Sequence, residues 1–469
     1  MSPVLTARCL VGASPLLFAP AVTFAMAVPP AGPDSQLVAF VNVHVISMDR
    51  EGVLQRQTVV IRDGRIVALG PADRVRVPAG AVRIDGRGKY LMPGLAEMHA
   101  HLPNPNAPGA SPELTETVLF LYVANGVTSA RGMQGHSSQL ELRDRIAKGE
   151  LVGPRLWVGS PALSGNTVPT ADSARRLVEQ RKAAGYDHLK IHEGLSREIY
   201  DTIVATARRV KISFAGHVPD AVGLDHALAA GQSTVDHLDN YLLALEADDS
   251  PIKNAPPQER AQQLIYHMDE GKLPSVAAAT KAAGAWMVPT MALWETFAAT
   301  ESLDSLRARE ELRYVPTQWR DAWAQAVATI RQNNPDAEGG RRVVELRRHI
   351  LKALDDAGVK ILLGTDSPQL FSVPGFSIHR ELKSMLAAGM TPYEILQAGT
   401  RNVAVYAGAA DDFGTVAVGR RADLLLLDGN PLEHLGNVAR RAGVMVNGRW
   451  LPEAEIQARL ARIAAGFAN

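Results

Sequence analysis

Five residues whose side chains can bind divalent metal ions, together with one lysine, follow short apolar runs of the 469-residue chain. They are His99, His101, Lys190, His217, His237 and Asp366. His99 and His101 are two residues apart, so in a strand both side chains point to the same side. Imidazole nitrogens and carboxylate oxygens are ligands of zinc and similar ions. A single histidine at a strand end is more often a packing residue, but six such positions together predict a metal centre.

The segments that carry these residues alternate with helical patterns over residues 91–406. Eight strands are predicted, at residues 95–99, 126–130, 155–158, 188–192, 213–217, 233–237, 286–289 and 360–364. Helical patterns include residues 171–184, 196–209, 220–230 and 273–283. Eight such units over about 300 residues indicate a (β/α)8 TIM barrel, in which the carboxyl ends of the strands form the active-site face. All six candidate ligands lie at or near those ends.

Shorter alternating segments occur at both ends of the chain. Residues 37–46, 57–61, 65–69 and 82–84 are separated by turns and predict an antiparallel unit of hairpins. Residues 423–428 (DLLLLD) and 444–446 have the same character. We therefore expect a composite β-sandwich domain formed by residues 28–90 and 407–469, the latter ending in a C-terminal helix. A long helical insertion is expected at about 298–357, either as a wall of the substrate site or as a surface helical pair.

Composition excludes several classes of protein. Lys+Arg and Asp+Glu are balanced at 49 each, so we expect no nucleic acid partner. The one cysteine, Cys9, excludes disulfide and cysteine-based metal sites. Residues 1–27 have the pattern of a cleaved signal peptide, which predicts a periplasmic or secreted protein with no membrane association after cleavage. We further expect a homo-oligomer that acts on a small molecule or short peptide.

Several motifs together resemble the metal-dependent amidohydrolase superfamily, near its imidazolonepropionase-like and Xaa-Pro dipeptidase-like branch. The likeness extends over about residues 37–455. The motifs are PGLAEMHAH (93–101), HLKIH (188–192), FAGH (214–217), TVDH (234–237), VPT (288–290), LLGTDS (362–367) and GTVAVGRRADLLLLDGNPL (414–432). The resemblance implies a barrel with a composite β-sandwich and a hydrolytic centre of one or two metal ions.

The resemblance also implies a role for each candidate ligand. His99, His101 and Asp366 would hold the more buried ion, and His217 and His237 the second. An ammonium group is costly beside two cations, and the family implies that Lys190 is instead carboxylated (N6-carboxylysine) and bridges the metals. We expect two divalent ions, with zinc as the metal. A bridging hydroxide would attack the carbonyl, and Asp366 would serve as general base and then general acid.

Two positions depart from the family pattern. Glu97 stands where the family usually has aspartate, two residues before His99, and Arg131 is followed by glycine rather than aspartate. Arg131 could bind a substrate carboxylate or form a structural ion pair. The other expected substrate contacts are His192, His136, Tyr241 and Trp294.

The expected reaction is hydrolysis of an amide or peptide bond, in an N-acyl amino acid or a dipeptide-like substrate. A lactonase or phosphotriesterase-like esterase on the same site is the main alternative. A deaminase is disfavoured, because Val218-Pro219-Asp220 follows His217 where single-metal deaminases have glutamate. A non-catalytic relative of the same fold is the third possibility.

Overall fold

The computed structural model describes residues 37–468, apart from residues 107–108 and 299–300. The predicted signal peptide therefore lies outside the described residues. Over the described part of the chain, no helix combines the length and the apolar character that crossing a bilayer requires.

Fifteen strands are present in the described residues. They are β1 (Val38–Val45), β2 (Leu54–Arg62), β3 (Arg65–Pro71), β4 (Val82–Asp85), β5 (Tyr90–Pro93), β6 (Leu95–Ala100), β7 (Val127–Gly132), β8 (Arg155–Val158), β9 (His188–Ile191), β10 (Ser213–Gly216), β11 (Thr234–Asp236), β12 (Trp286–Val288), β13 (Leu424–Leu427), β14 (Arg441–Val446) and β15 (Arg449–Pro452).

Sixteen α-helices are described. They are α1 (Pro112–Ala124), α2 (Ser138–Ala147), α3 (Ala171–Ala183), α4 (Arg197–Val210), α5 (Leu224–Ala229), α6 (Tyr241–Ala244), α7 (Pro257–Gln263), α8 (Leu273–Ala283), α9 (Met291–Phe297), α10 (Leu303–Arg307), α11 (Thr317–Asn333), α12 (Ala337–Ala357), α13 (Phe376–Ala387), α14 (Pro392–Ala398), α15 (Arg401–Tyr406) and α16 (Glu453–Gly466).

Capping residues explain where several helices begin. The side chain of Thr170 accepts the Ser173 N–H at the start of α3. The side chain of Ser196 accepts a backbone N–H of the first turn of α4 in the same way. The helix predicted at 220–230 begins only at Leu224, because Gly223 before it has a left-handed φ of 75°.

Both ends of the chain contribute to one eight-stranded sheet. Its order is β15-β14-β13-β5-β1-β2-β3, and β4 pairs with β1 as a branch. β1, β2 and β3 are antiparallel as predicted, but β4 runs parallel to β1, which corrects the expectation of an all-hairpin unit. Alternate leucines of β13 face two different cores: Leu424 and Leu426 pack within this sheet, and Leu425 and Leu427 pack against the central α/β region.

The central region consists of parallel strands connected by helices. β6-β7-β8 and β9-β10-β11-β12 form two parallel sheets. Isolated bridges connect Gly159 to His188, Met287 to Ile361, and Ala100 to Ser367. The hydrogen-bonded connections therefore return to β6, in agreement with a (β/α)8 barrel. The eighth predicted strand, residues 360–364, is an extended segment with bridging hydrogen bonds rather than a regular strand.

The predicted insertion has two structural parts. α12 packs against α8 and α9, and so belongs to the layer of helices around the strands. The polypeptide between α9 and α12, which contains α10 and α11, is the added portion. Trp319 on α11 reaches the groove beside His101 that is described below.

Candidate active site

The side chains of three predicted ligands converge on Asp366. The Nε2 atom of His101 lies 2.6 Å from Oδ1 of Asp366, and the Nε2 atom of His99 lies 3.5 Å from the same oxygen. The Nε2 atom of His237 lies 3.7 Å from Oδ2. The rings of His217 and His237 are 4.7 Å apart between centroids, which places His217 on the far side of the cluster.

Lys190 lies within β9 and points into this cluster. Its Nζ atom is 3.3 Å from Nε2 of His99, and its side chain is buried. Burial, together with the neighbouring Arg131, lowers the pKa of Lys190, although nearby aspartates oppose the shift. A lysine in this position is easier to deprotonate than an exposed one, and a neutral amine is the form that reacts with carbon dioxide.

A buried ion pair orients His99. Its Nδ1 atom lies 2.8 Å from Oδ2 of Asp236, and Arg131 lies 3.4 Å from both oxygens of Asp236. Burial alone would raise the pKa of Asp236, but Arg131 and Lys190 lower it overall, so the carboxylate stays charged. Arg131 also donates to the carbonyl of Met98. Asp236 therefore directs Nδ1 of His99 away from the cluster and leaves Nε2 facing it.

The other two histidines have partners of their own. A 2.8 Å hydrogen bond joins Nδ1 of His237 to Oγ1 of Thr290. His217 donates from Nδ1 to Asp239 at 2.7 Å, and Glu193 lies 3.8 Å from the same nitrogen. Burial lowers the pKa of His217 to about 3 and raises the pKa values of Asp239 and Glu193 to about 7. The histidines are therefore neutral, which is the state that binds a metal.

Three functional positions have left-handed backbone conformations. The φ angles are 62° at His237, 47° at Thr290 and 61° at Asp366. Non-glycine residues rarely adopt these angles, and such strain is concentrated at functional sites. At His237 this conformation ends β11 one residue earlier than predicted. β10 also ends one residue early, at Gly216, so that His217 and His237 follow these strands rather than completing them.

An open groove begins at His101. Its volume is about 640 Å³, and its walls come from the segments after β6, β7 and β8 and from α3 and α11. Its lining residues are His101, Leu102, Pro103, Asn104, Gln134, Gly135, His136, Gln139, Pro161, Ala162, Thr167, Leu177, Arg181, Trp319, Pro368 and Gln369. No carboxylate is among these described lining residues. The Nε atom of Arg181 and the Oε1 atom of Gln139 are buried without a hydrogen-bond partner.

The predicted substrate contacts have different positions. His136 lines the groove, and the ring of His192 lies 4.5 Å from that of His217. Arg131 is fully buried in its ion pair, so the structural alternative holds and the substrate role does not. Tyr241 is also fully buried and bonds to Thr280, which corrects its assignment to the pocket. Trp294 stacks on the buried guanidinium of Arg347, with 4.1 Å from its ring centroid to Cζ, and does not line the groove.

Several supporting residues were not predicted. Asp236 stands inside the motif TVDH, but its contact with His99 joins β11 to β6 and has no signal in sequence spacing. Arg347 on α12 donates to the carbonyls of His237 and Pro289, although it is 110 residues from His237. Glu193 and Asp239 follow β9 and β11 closely, and this position was the available signal for them.

The donor atoms fit a metal ion. Oδ1 of Asp366 and Nε2 of His237 are buried and have no hydrogen-bond partner in the described part of the chain, although other cluster atoms are close. His99, His101 and Asp366 each offer one ligand atom within 4.8 Å of the others, and Glu193, His217 and Asp239 form a second such group. Nitrogen and oxygen donors that face one another without hydrogen bonds are the arrangement expected of ligands around a common cation.

Comparisons with known proteins agree with this fold. The model of the amidohydrolase family matches residues 90–451. Imidazolonepropionase from Stenotrophomonas maltophilia (strain R551-3) is 43% identical over 63 residues, which are 13% of this chain and 16% of that protein. The alignment thus spans about a sixth of the curated relative.

Solved structures share the fold over most of the chain. A structure titled bottromycin amidohydrolase has 23% identity and a TM-score of 0.70, covering 93% of this chain and 92% of that one. A Xaa-Pro dipeptidase with bound methionine has 20% identity and a TM-score of 0.65, covering 89% and 100%. The chain belongs to the amidohydrolase family, as its motifs predicted.

Proposed function

We propose that this protein is a metal-dependent hydrolase that cleaves an amide or peptide bond. The observation that carries the proposal is the convergence of His99, His101 and His237 on Asp366, with unpartnered buried donor atoms, at the end of an open groove. The names of the similar structures, an amidohydrolase and a dipeptidase, support the choice of a C–N bond.

In this proposal the six predicted residues hold two divalent ions, with zinc expected. His99, His101 and Asp366 would hold one, His217 and His237 would hold the other, and Lys190, as N6-carboxylysine, would supply an anionic ligand to both. Metal ions so bound supply Lewis acidity and lower the pKa of water from 15.7 to about 7. These residues would occupy the carboxyl-end face of the proposed (β/α)8 barrel, beside the composite β-sandwich.

Asp366 transfers a proton from the attacking water to the leaving nitrogen. Asp366 takes one proton from the attacking water as the new C–O bond forms on the carbonyl carbon. It then gives that proton to the nitrogen as the C–N bond breaks, so that a carboxylic acid and an amine are released. His101 lies beside Asp366 and borders the groove, so a substrate in the groove has its reacting bond next to this proton carrier.

The groove supports a substrate with a carboxylate at one end. Arg181 is the one charged residue among the described groove-lining side chains, and the lining contains no carboxylate to repel an anion. Trp319 and several prolines provide an apolar wall. An N-acyl amino acid or a dipeptide has both features, an amide bond and a free carboxylate.

A substrate panel tests the function. N-acyl amino acids, dipeptides, lactones and aryl phosphotriesters are incubated with enzyme loaded with zinc in bicarbonate buffer. We expect turnover of amides, and an Asp366→Asn variant with kcat lower by about 10²–10⁴-fold. Turnover of lactones or phosphotriesters alone would favour the esterase alternative. Failure to cleave any member of the panel would contradict the proposal.

A further inference from the structure

The carboxylate of Glu97 connects the backbone of one candidate ligand, His99, with that of Thr365, the residue before Asp366. Its Oε1 atom accepts the N–H of His99 at 3.0 Å and the N–H of Thr365 at 2.8 Å. Its Oε2 atom accepts the Thr365 hydroxyl at 2.5 Å. The side chain is fully buried, and the reaction proposed above gives it no role. One side chain on β6 therefore holds the residue directly before Asp366.

The backbone N–H groups of His99 and Thr365 need a hydrogen-bond acceptor other than a neighbouring strand. Asp366 has a φ of 61° and donates its own N–H to the carbonyl of His99 at 2.9 Å. The pairing of β6 with its neighbour β7 also shifts register between Glu97 and Ala100. A regular pattern of strand pairing cannot continue through such a turn, and a buried N–H without an acceptor is destabilising. Glu97 supplies the acceptor for the N–H groups of both His99 and Thr365.

The Thr365 hydroxyl is fixed from further sides. Its Oγ1 atom lies 3.0 Å from Oγ of Ser367 and 2.9 Å from Oγ of Ser377. The hydroxyl of Tyr122 donates a hydrogen bond to the backbone carbonyl of Ser367 at 2.9 Å. Together with the bond to Glu97, these contacts fix the side chain of Thr365.

We propose that Glu97 is a positioning residue for Asp366. By holding Thr365, its carboxylate maintains the left-handed turn that presents Asp366 to His99, His101 and His237. The proposal rests on the function proposed for Asp366, and it assigns a role to the position where this chain departs from the family pattern.

The test uses the full chain and measures local order and metal binding besides turnover. Variants Glu97→Ala and Glu97→Gln are compared with Asp423→Asn, a buried carboxylate that bonds Arg155 and the Asn447 N–H on the terminal sheet. Amide hydrogen exchange of the 362–368 segment is followed in metal-free protein by mass spectrometry. Binding of Co²⁺ is measured by equilibrium dialysis. The values of kcat and KM are measured with the amide that the wild type cleaves.

We expect Glu97→Ala to raise exchange in the 362–368 segment and to weaken Co²⁺ binding by about 10- to 100-fold. Its kcat should fall with little change in KM. Glu97→Gln, whose Oε1 can still accept both N–H groups, should show the same changes at reduced size. Asp423→Asn should lower the melting temperature but keep wild-type exchange at 362–368 and wild-type Co²⁺ affinity.

Wild-type exchange and Co²⁺ affinity in Glu97→Ala, with only a loss of thermal stability like that of Asp423→Asn, would overturn the proposal. Should Glu97→Ala not fold, Glu97→Gln decides, and wild-type values in that variant would overturn it as well. The exchange and Co²⁺ measurements need no turnover. A wild type that cleaves no amide would therefore count against the proposed function and leave this test intact.

Discussion

The Nζ atom of Lys190 lies 3.3 Å from the Nε2 atom of His99, and both side chains are buried. Strands β9 and β6 are not neighbours in a sheet, so this contact crosses the interior of the strand arrangement. An ordinary ammonium is a poor neighbour for a histidine that is to bind a cation. The carboxylation proposed for Lys190 would remove this conflict, because it would replace a positive charge with a metal-binding anion.

Replacement of Lys190 by alanine should therefore remove a ligand rather than a structural contact. We expect the metal content to fall and kcat/KM to drop at least 100-fold, as for the loss of a side chain that is essential in catalysis. Added formate or acetate should restore part of the activity, because a small carboxylate can occupy the space that the side chain vacates. Metal analysis and rates across a carboxylate titration measure both effects. Lys148→Ala, at an exposed position, is the control, and a Lys190→Ala enzyme with full metal content and activity would refute the bridging role.

The Arg131–Asp236 pair should support stability as well as the site. Both side chains are fully buried, so Asp236→Asn leaves a guanidinium without its counter-charge. Breaking a buried pair from one side costs about 3–5 kcal/mol, and we expect the free energy of unfolding to fall by that order. Urea denaturation of metal-free protein measures it. Asp144→Asn, which alters an exposed pair with Arg143, should change stability little. Equal stability of the two variants would contradict the assigned structural role.

The groove predicts a specific effect of Arg181. Arg181→Gln should raise KM several-fold for substrates with a free carboxylate and should leave KM for the corresponding amides or esters unchanged. Arg176→Gln, on an exposed face of the same helix α3, is the matched control. Steady-state kinetics on a dipeptide and its C-terminal amide measure the difference. A similar KM change for both substrates would argue against recognition of the carboxylate by Arg181.

The free energy of unfolding should decrease as the pH rises, because of Glu381. Burial raises the pKa of this carboxyl from its ordinary value near 4.5 to about 8, even though it accepts the N–H groups of Met291 and Ala292 at the start of α9. Between about pH 4.5 and 8 the folded protein keeps a proton that the unfolded chain loses, so stability falls as the pH rises and levels off above 8. One such group contributes a slope of up to about 1.4 kcal/mol per pH unit.

Unfolding free energies at several pH values test this prediction. In Glu381→Gln the slope between pH 5 and 8 should be smaller than in the wild type by about this amount. An unchanged slope would show that Glu381 is ionised in the folded protein throughout the range.

The sequence predicted the strands that carry the site because parallel strands bring their carboxyl ends to one face. His99, His101, His237 and Asp366 meet there as expected, and Lys190 points inward with them. The sequence could not predict that β4 would run parallel to β1, since the connection between β3 and β4, residues 72–81, has no decisive signal. It also could not predict the contact of Asp236 with His99, or that of Arg347 with His237. These contacts depend on the directions of side chains from elements that are distant in the chain. Tyr241 was assigned wrongly for the same reason: it follows β11 closely, yet its side chain turns into the core.

The most direct test of the account is the metal stoichiometry of the protein together with the state of Lys190. The wild type is reconstituted with zinc in bicarbonate buffer, and its bound metal is quantified by mass spectrometry. Native mass measurement and a crystal structure of the same sample report on the lysine. The account predicts about two metal ions per chain, held by the six residues, and a carboxylated Lys190. Fewer than one ion per chain after careful reconstitution, or two ions beside an unmodified Lys190, would contradict it.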